Sequence, residues 1–320
     1  MGITKNRLSE SKIEQMVVKA FSGKKALHTE ELTEGLCNAA YFITLEDRSK
    51  TILKIAPRDK HALLSNEVNM MQAEVGAMRL VAEKTDIPVP QVYFYDDSRT
   101  ICDSAYFFME VMEGQSYFSC KQNLEQEQIH KLDFELGVIE KKISSIHGEK
   151  FGLLADQEHW TEQLFDTVSL MIARVLQDAE AKSVNIGYSL QDILSELNTD
   201  RKCFDEVTKP VLVHWDMWEG NVFIHQGHVS GIIDWERAMW GEVFMDDRFR
   251  RHTRSIDFLR GFGKEQLTDT EMQRIYWYDV LLYLTMMTEG AYREYQDDSQ
   301  YQWVKPLFES SYAELRKRHS

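Results

Sequence analysis

A short apolar hairpin set inside a long helical tract is the feature that most restricts how this chain folds. Between Val211 and Glu236 the sequence reads "VLVHWDMWEGNVFIHQGHVSGIIDWE". Two β-runs, "NVFIH" and "VSGIID", meet through "QGH". Apolar runs of that length around a glycine-containing turn read as strands. Helical patterns stand on both sides, over 124–147, 161–181 and 190–205 before it and over 268–295 and 300–318 after it. Helices pack without such a ribbon, so the hairpin is expected to hold something.

Three polar residues at its ends are candidates. Side chains at the ends of a rigid ribbon keep fixed relative positions, as a catalytic site requires. Asp216 precedes the first strand and can take a proton from a hydroxyl. Asn221 opens that strand, and its amide oxygen can ligate a hard cation. Asp234 closes the second strand with a carboxylate. Mg2+ prefers oxygen donors and uses one or two protein carboxylates beside substrate phosphates. Singly, each residue reads more simply as a strand-end turn residue. Together, Asn221 five positions after Asp216 and Asp234 thirteen after Asn221 favour one site.

The first third has a different rhythm. Residues 9–21 place Ile13, Met16, Val17, Ala20 and Phe21 at helical spacing. "AAYFITLEDRSKTILKIAP" reads as two strands around "EDRSK". Leu64, Val68, Met71, Val75, Met78 and Ala82 predict a helix over 62–84. "DIPVP" ends it, because proline excludes helical geometry at itself and before itself. "QVYFYDD" and "SAYFFMEVM" read as further strands, and the change of character near 110–116 marks a lobe boundary.

Bulk properties narrow the function. The chain has 320 residues, 43% of them hydrophobic, enough for two lobes with cores of their own. No apolar run reaches about 18 residues, and the N-terminus lacks a signal core, so no membrane association is expected. Gly2 follows Met1, but Asn6 breaks the N-myristoylation pattern. Four cysteines without a CxxC pair read as reduced thiols in a cytoplasmic protein. A net charge of −15 argues against nucleic acid as partner and favours a cationic one if the acids line a cleft.

"HWDMWEGN" followed by "IIDWE" resembles the HxDxxxxN…D pattern of the aminoglycoside phosphotransferase family, within the protein-kinase-like superfamily. Both intervals are also those of protein kinases. Trp215 stands where most of the family has Gly, and Trp235 where protein kinases have Phe. The resemblance implies an α+β, bilobal protein-kinase-like fold, with a β-rich N-lobe carrying one long helix and a mainly helical C-lobe. The lobes would span 1–112, hinge included, and 113–320.

The resemblance extends over most of residues 30–250 and assigns further parts. Lys54 in "TILKIAP" would contact the nucleotide phosphates. Glu74 would be its partner, with Glu67 as second choice. "LTEGLCNAAYFITL" is similar to the phosphate-covering turn, retaining Gly35 and Asn38. "FFMEVMEG" resembles the hinge, where the Glu110 carbonyl and Met112 amide would meet the adenine edge with Met109 behind the base. "DWERAMWGEVFMDD" matches at Gly241 and at Asp246, which would brace the catalytic loop, and His147 in "ISSIHGEKFG" would end a helix. His214 would be structural.

The implied reaction moves the γ-phosphoryl group of ATP, with GTP left open as donor, to a hydroxyl of a small molecule. Asp216 would be the base, and Asn221 and Asp234 would hold Mg2+. Trp218, Glu219 and Glu236, with Glu242 and Asp247 near in sequence, would line an acidic and aromatic acceptor pocket suited to an amino sugar or quaternary amine. Two alternatives stand beside an antibiotic phosphotransferase: a metabolic kinase of choline, a sugar or an amino acid, and a nucleotide-binding regulator without catalysis. A protein kinase fits poorly, as no "APE"-like segment follows Asp234. The sequence carries no signal of oligomeric state.

Overall fold

Period-two burial builds the first third. A computed structural model describes residues 4–33, 35, 37–58 and 62–318. Strands β1 (Ala26–Leu32), β2 (Ala39–Leu45), β3 (Lys50–Ile55), β4 (Val92–Asp96) and β5 (Tyr106–Met109) form an antiparallel sheet in the order β1-β2-β3-β5-β4. Ala39, Tyr41, Ile43, Leu45, Leu53, Ile55 and Phe108 share one buried face with Ile13, Met16 and Val17 of helix α1 (Glu10–Ala20). Side chains alternate across a strand, so Lys54 emerges on the opposite face, toward the second lobe. There helix α2 (Met70–Lys84) packs Met71, Val75 and Met78 in one core with Phe107 and Met109.

Helix α2 begins eight residues later than its periodicity predicts. Residues before it bond to the second lobe instead. The Ser65 amide and hydroxyl donate to the Asp178 carboxylate at 2.8 and 2.6 Å. The Asn66 side-chain amide donates to the Met171 carbonyl at 2.9 Å. The Leu64 amide donates to Glu67, and Asn69 takes a left-handed φ of 48°. Fixed tertiary bonds outweigh a weak local propensity. Strand β1 escaped the sequence reading because its residues are half-buried or exposed without alternation.

The chain then makes β6 (Gln115–Ser116) and one turn of helix, α3 (Tyr117–Cys120). Helices α4 (Gln126–Ile143), α5 (Leu164–Ala181) and α6 (Leu190–Thr199) follow, then α7 (Ile256–Phe262), α8 (Asp269–Tyr292) and α9 (Ser299–Lys317). The predicted helices end short at 144–147 and 200–205, and α7 lacks a signal long enough to read. Strands β7 (Gly152–Leu153), β8 (Val211–Val213) and β11 (Met239–Gly241) make one small sheet, ordered β7-β11-β8. The hairpin strands β9 (Val222–His225) and β10 (His228–Ile232) make another with β6, ordered β10-β9-β6.

Two backbone requirements fix that second sheet. Gln226 and Gly227 turn the hairpin with φ of 51° and 82°, the doubly left-handed geometry of a two-residue turn. Gly114, at φ 103°, lies so close to β9 that a β-carbon would collide with the Ile224 carbonyl. The segment leaving the first lobe is thereby stitched to the hairpin. One apolar core runs from α2 through α4, α5 and α8 beneath it. No helix among the described residues is long and apolar enough to cross a membrane.

Candidate active site

The loop from β8 to β9 carries the candidate base, and His214 at its start ties it to the end of β10. Its Nε2 donates to the Ile233 carbonyl at 2.9 Å, and its Nδ1 accepts the Asp216 amide at 3.2 Å. These two bonds require the neutral tautomer protonated on Nε2. Burial agrees, lowering the imidazole to about 4. The ring rests against Trp235 at 4.4 Å. His214 thus ties the loop before Asp216 to the strand end before Asp234.

Asp216 and Asn221 face each other across the loop. The Asn221 Nδ2 donates to the Asp216 carbonyl at 2.9 Å and to Oδ2 at 3.3 Å. That orientation points the amide nitrogen at the acid and the amide oxygen away from it. Enclosure pushes the Asp216 carboxyl well above the ordinary range, and Asp234, Asp247 and Asp246 push the same way. Arg237 opposes them.

Across the cleft, Lys54 Nζ lies 2.6 Å from Glu74 Oε1 and 2.6 Å from Asp234 Oδ1. Glu67 is engaged elsewhere, 2.5 Å from Arg293. Asp234 sits at φ 67°, a left-handed conformation that Asp tolerates better than most side chains. Lys54 holds the Asp234 carboxyl below its usual range, although burial works against it. Burial pushes Glu74 up to about 8 and, with Asp234, Glu236 up to about 7. Oxygens of Glu74, Asp234 and Glu236 lie within 4.8 Å of one another. One ammonium among three carboxyls leaves negative charge to be neutralised by protons or by a cation.

The other expected site residues divide into those the fold gathers and those it does not. The Asn38 side-chain amide donates to Glu236 Oε2 at 2.7 Å, so Glu236 faces the phosphate-covering turn and Lys54. Gly35 is in the same turn; Glu34 and Leu36 beside it lie outside the described residues. At the hinge, the Glu110 amide donates to the Gln91 carbonyl at 2.9 Å, and the Met112 side chain packs on Gly231 of β10. Glu219 lies 2.5 Å from Lys121 and 3.7 Å from Arg248. Glu242 is buried, 2.8 Å from Arg274 and 2.5 Å from the Tyr278 hydroxyl. Asp247 is buried beside Arg250. Trp218 stays 41% exposed, against Phe118. Asp246 accepts the Trp215 amide and so braces the loop from below.

Sequence reading missed Arg237, Phe118 and Lys121. Arg237 lies 3.1 Å from Glu289 and 3.6 Å from Glu67, contacts between parts of the chain far apart in sequence. Its place directly after "DWE" was the one available signal. Phe118 and Lys121 meet the catalytic loop only through the fold.

An aspartate, an amide and a second carboxylate on one hairpin, facing a lysine on the sheet paired with a glutamate on helix α2, make this a kinase-like cleft. The family model of the phosphotransferase enzyme family matches residues 28–246, and the chain belongs to that family. It is an ATP-dependent phosphotransferase with an alcohol group as acceptor. No curated protein sequence matches the chain. Among solved structures, a candidate aminoglycoside phosphotransferase from Ralstonia eutropha JMP134 is 12% identical, with a TM-score of 0.67 over 97% of this chain and 99% of that one. A thermostable mutant of the aminoglycoside phosphotransferase APH(4)-Ia, in ternary complex with ADP and hygromycin B, is 13% identical, with a TM-score of 0.66 over 95% and 98%. A candidate fructosamine-3-kinase from Thermobifida fusca is 15% identical, with a TM-score of 0.66 over 94% and 98%. At such identities these neighbours establish the fold.

Proposed function

We propose that the protein transfers the γ-phosphoryl group of ATP to a hydroxyl of a small molecule in a Mg2+-dependent reaction. The observation that carries this reading is the continuous set of contacts Glu74–Lys54–Asp234 opposite Asn221–Asp216. Residues 1–112 then form the nucleotide lobe, and residues 113–320 carry the base and the acceptor.

The donor atoms fit a hard divalent cation. Asn221 keeps its amide oxygen for it, Asp234 adds a carboxylate, and the excess of carboxyls over ammonium supplies the charge. Asn221 and Asp234 would hold Mg2+, which would supply charge neutralisation for the nucleotide phosphates. Lys54 binds the α- and β-phosphates, and Glu74 orients Lys54. The hinge offers the Glu110 carbonyl and Met112 amide to the adenine edge, while Gly35 and Asn38 cover the phosphates. Asp216 positions the acceptor hydroxyl and takes its proton as the new P–O bond forms. In-line alignment and charge neutralisation do most of the work in such transfers.

An ADP-release screen with Mg2+ over hydroxyl-bearing metabolites and antibiotics tests the reading. Solved relatives on this fold include a hygromycin B complex and a candidate fructosamine-3-kinase, so both kinds of acceptor belong in the screen. Asp216→Asn should keep nucleotide binding and lower turnover on the order of a hundredfold or more. Near-normal turnover in that variant would remove Asp216 from its role.

A further inference from the structure

Two aromatic rings stand in contact at the edge of the catalytic loop. Trp218, two residues after Asp216, is 41% exposed, and Phe118 is 63% exposed. Their centroids are 5.5 Å apart and their planes inclined by 58°. Single exposed apolar residues are ordinary, but a paired patch beside a catalytic base is not. The fold holds both rings in place. The indole of Trp218 lies so closely on Gly220 that a β-carbon there would collide with it. Phe118 rides on α3, whose neighbour Tyr117 is fully buried and donates its hydroxyl to Asp133 at 3.3 Å. Lys121, just past α3, bridges to Glu219 of the catalytic loop at 2.5 Å and clamps the two segments together.

The same contacts remove free negative charge from this wall. Glu219 is matched by Lys121 and Arg248, Glu242 by Arg274, and Asp247 by Arg250. Glu236 turns to Asn38 on the nucleotide side. What stands exposed at this edge of the loop is the pair of apolar rings, with the acids nearest to it in sequence each held by a cation or turned to the nucleotide side.

We infer that Phe118 and Trp218 form the acceptor-recognition surface, and that the acceptor carries a planar apolar group near its reacting hydroxyl rather than a cluster of ammonium groups. The inference rests on the phosphotransferase reading and deepens it. Two residues of chain span at most about 7 Å, so the Trp218 and Asp216 backbones are neighbours on one loop and an acceptor resting on the rings lies next to the base. Aromatic faces select planar apolar groups by offset or edge-to-face contact.

The test measures binding by calorimetry, so it does not depend on turnover. Phenyl β-D-glucopyranoside, methyl β-D-glucopyranoside and hygromycin B are titrated into the Mg-ATP-saturated protein and into Trp218→Ala and Phe118→Ala. Both side chains are exposed, so the variants should fold. The phenyl glucoside should bind at least tenfold more tightly than the methyl glucoside, and each variant should abolish that preference. Mg-ATP affinity should stay within twofold in both. Equal binding of the two glucosides would overturn the inference, as would tighter binding of hygromycin B. Weaker Mg-ATP binding in Trp218→Ala with the aryl preference intact also overturns it, placing the rings under the nucleotide. Failure of the unmodified protein to bind Mg-ATP sinks the phosphotransferase reading itself, a result distinct from all of these.

Discussion

Trp215 shows two residue-scale effects in competition. Its φ of 70° puts a β-carbon where L residues pay about 1–2 kcal/mol. Yet it is only 4% exposed, in the core beneath the loop. Truncating a buried Trp typically costs about 3–5 kcal/mol, so burial wins. Trp215→Gly should therefore destabilise the protein by about 2–3 kcal/mol in urea unfolding. Trp215→Ala should be worse by a further ~1 kcal/mol, because it loses the ring and keeps the strained β-carbon. An alanine variant more stable than the glycine one would refute that account of the backbone. The family's Gly here is thus explained by backbone geometry, which spacing alone could not show. Asp216, Asn221 and Asp234 were legible because hairpin length fixes their intervals. The contacts of Glu219, Glu236 and Arg237 were not, since each partner comes from a distant segment.

At the scale of elements, periodicity located α1, α4, α5, α8 and α9 to within a few residues and found the catalytic hairpin. It failed where tertiary bonds override local preference, as at residues 64–69, and where strands are two or three residues long. The least legible element, β6, has a large structural role. Gly114 before it touches β9 so closely that Gly114→Ala must push the hinge off the hairpin. The strain at positive φ and the collision together should cost about 2 kcal/mol or more. The same change should raise the KM for ATP more than it changes the affinity for acceptor. Unfolding and steady-state kinetics with the nucleotide varied check both.

At the scale of the whole molecule, buried charge is concentrated behind the cleft. Arg293 lies 2.5 Å from Glu67 and 3.0 Å from Glu289, and Arg237 touches the same two acids. The network joins the residues before α2 to the end of α8. Removing one member strands buried charge at a typical cost of about 3–5 kcal/mol. Arg293→Met should fall in that range by chemical denaturation. A loss below ~1 kcal/mol would show that solvent reaches the network.

Deeper still, burial and the neighbouring Asp247 raise Asp246 to about 7, above its unfolded value near 3.8. The folded state therefore binds a proton there that the unfolded chain releases, and stability falls as pH rises from about 4 through 7. Asp246→Asn cannot titrate. Relative to the parent protein, it should gain stability as pH rises from about 5 to about 7 and level off above that. A constant difference across that range would show that Asp246 is ionised throughout.

The pairing of β6 with β9 also determines which half of the molecule can swing. Residues 114–116 travel with the second lobe, so any parting of the lobes must bend between Met109 and Gly114. Asn221 and Asp234 belong to the ribbon side of that bend, and Lys54 and Asn38 to the sheet side. The cleft then behaves as a jaw with one fixed plate. Lys54–Asp234 and Asn38–Glu236 bridge the sheet to the hairpin across the mouth, while Ser65–Asp178, Asn66–Met171 and Glu67–Arg293 pin the segment before α2 to the second lobe and set how far the jaw can part.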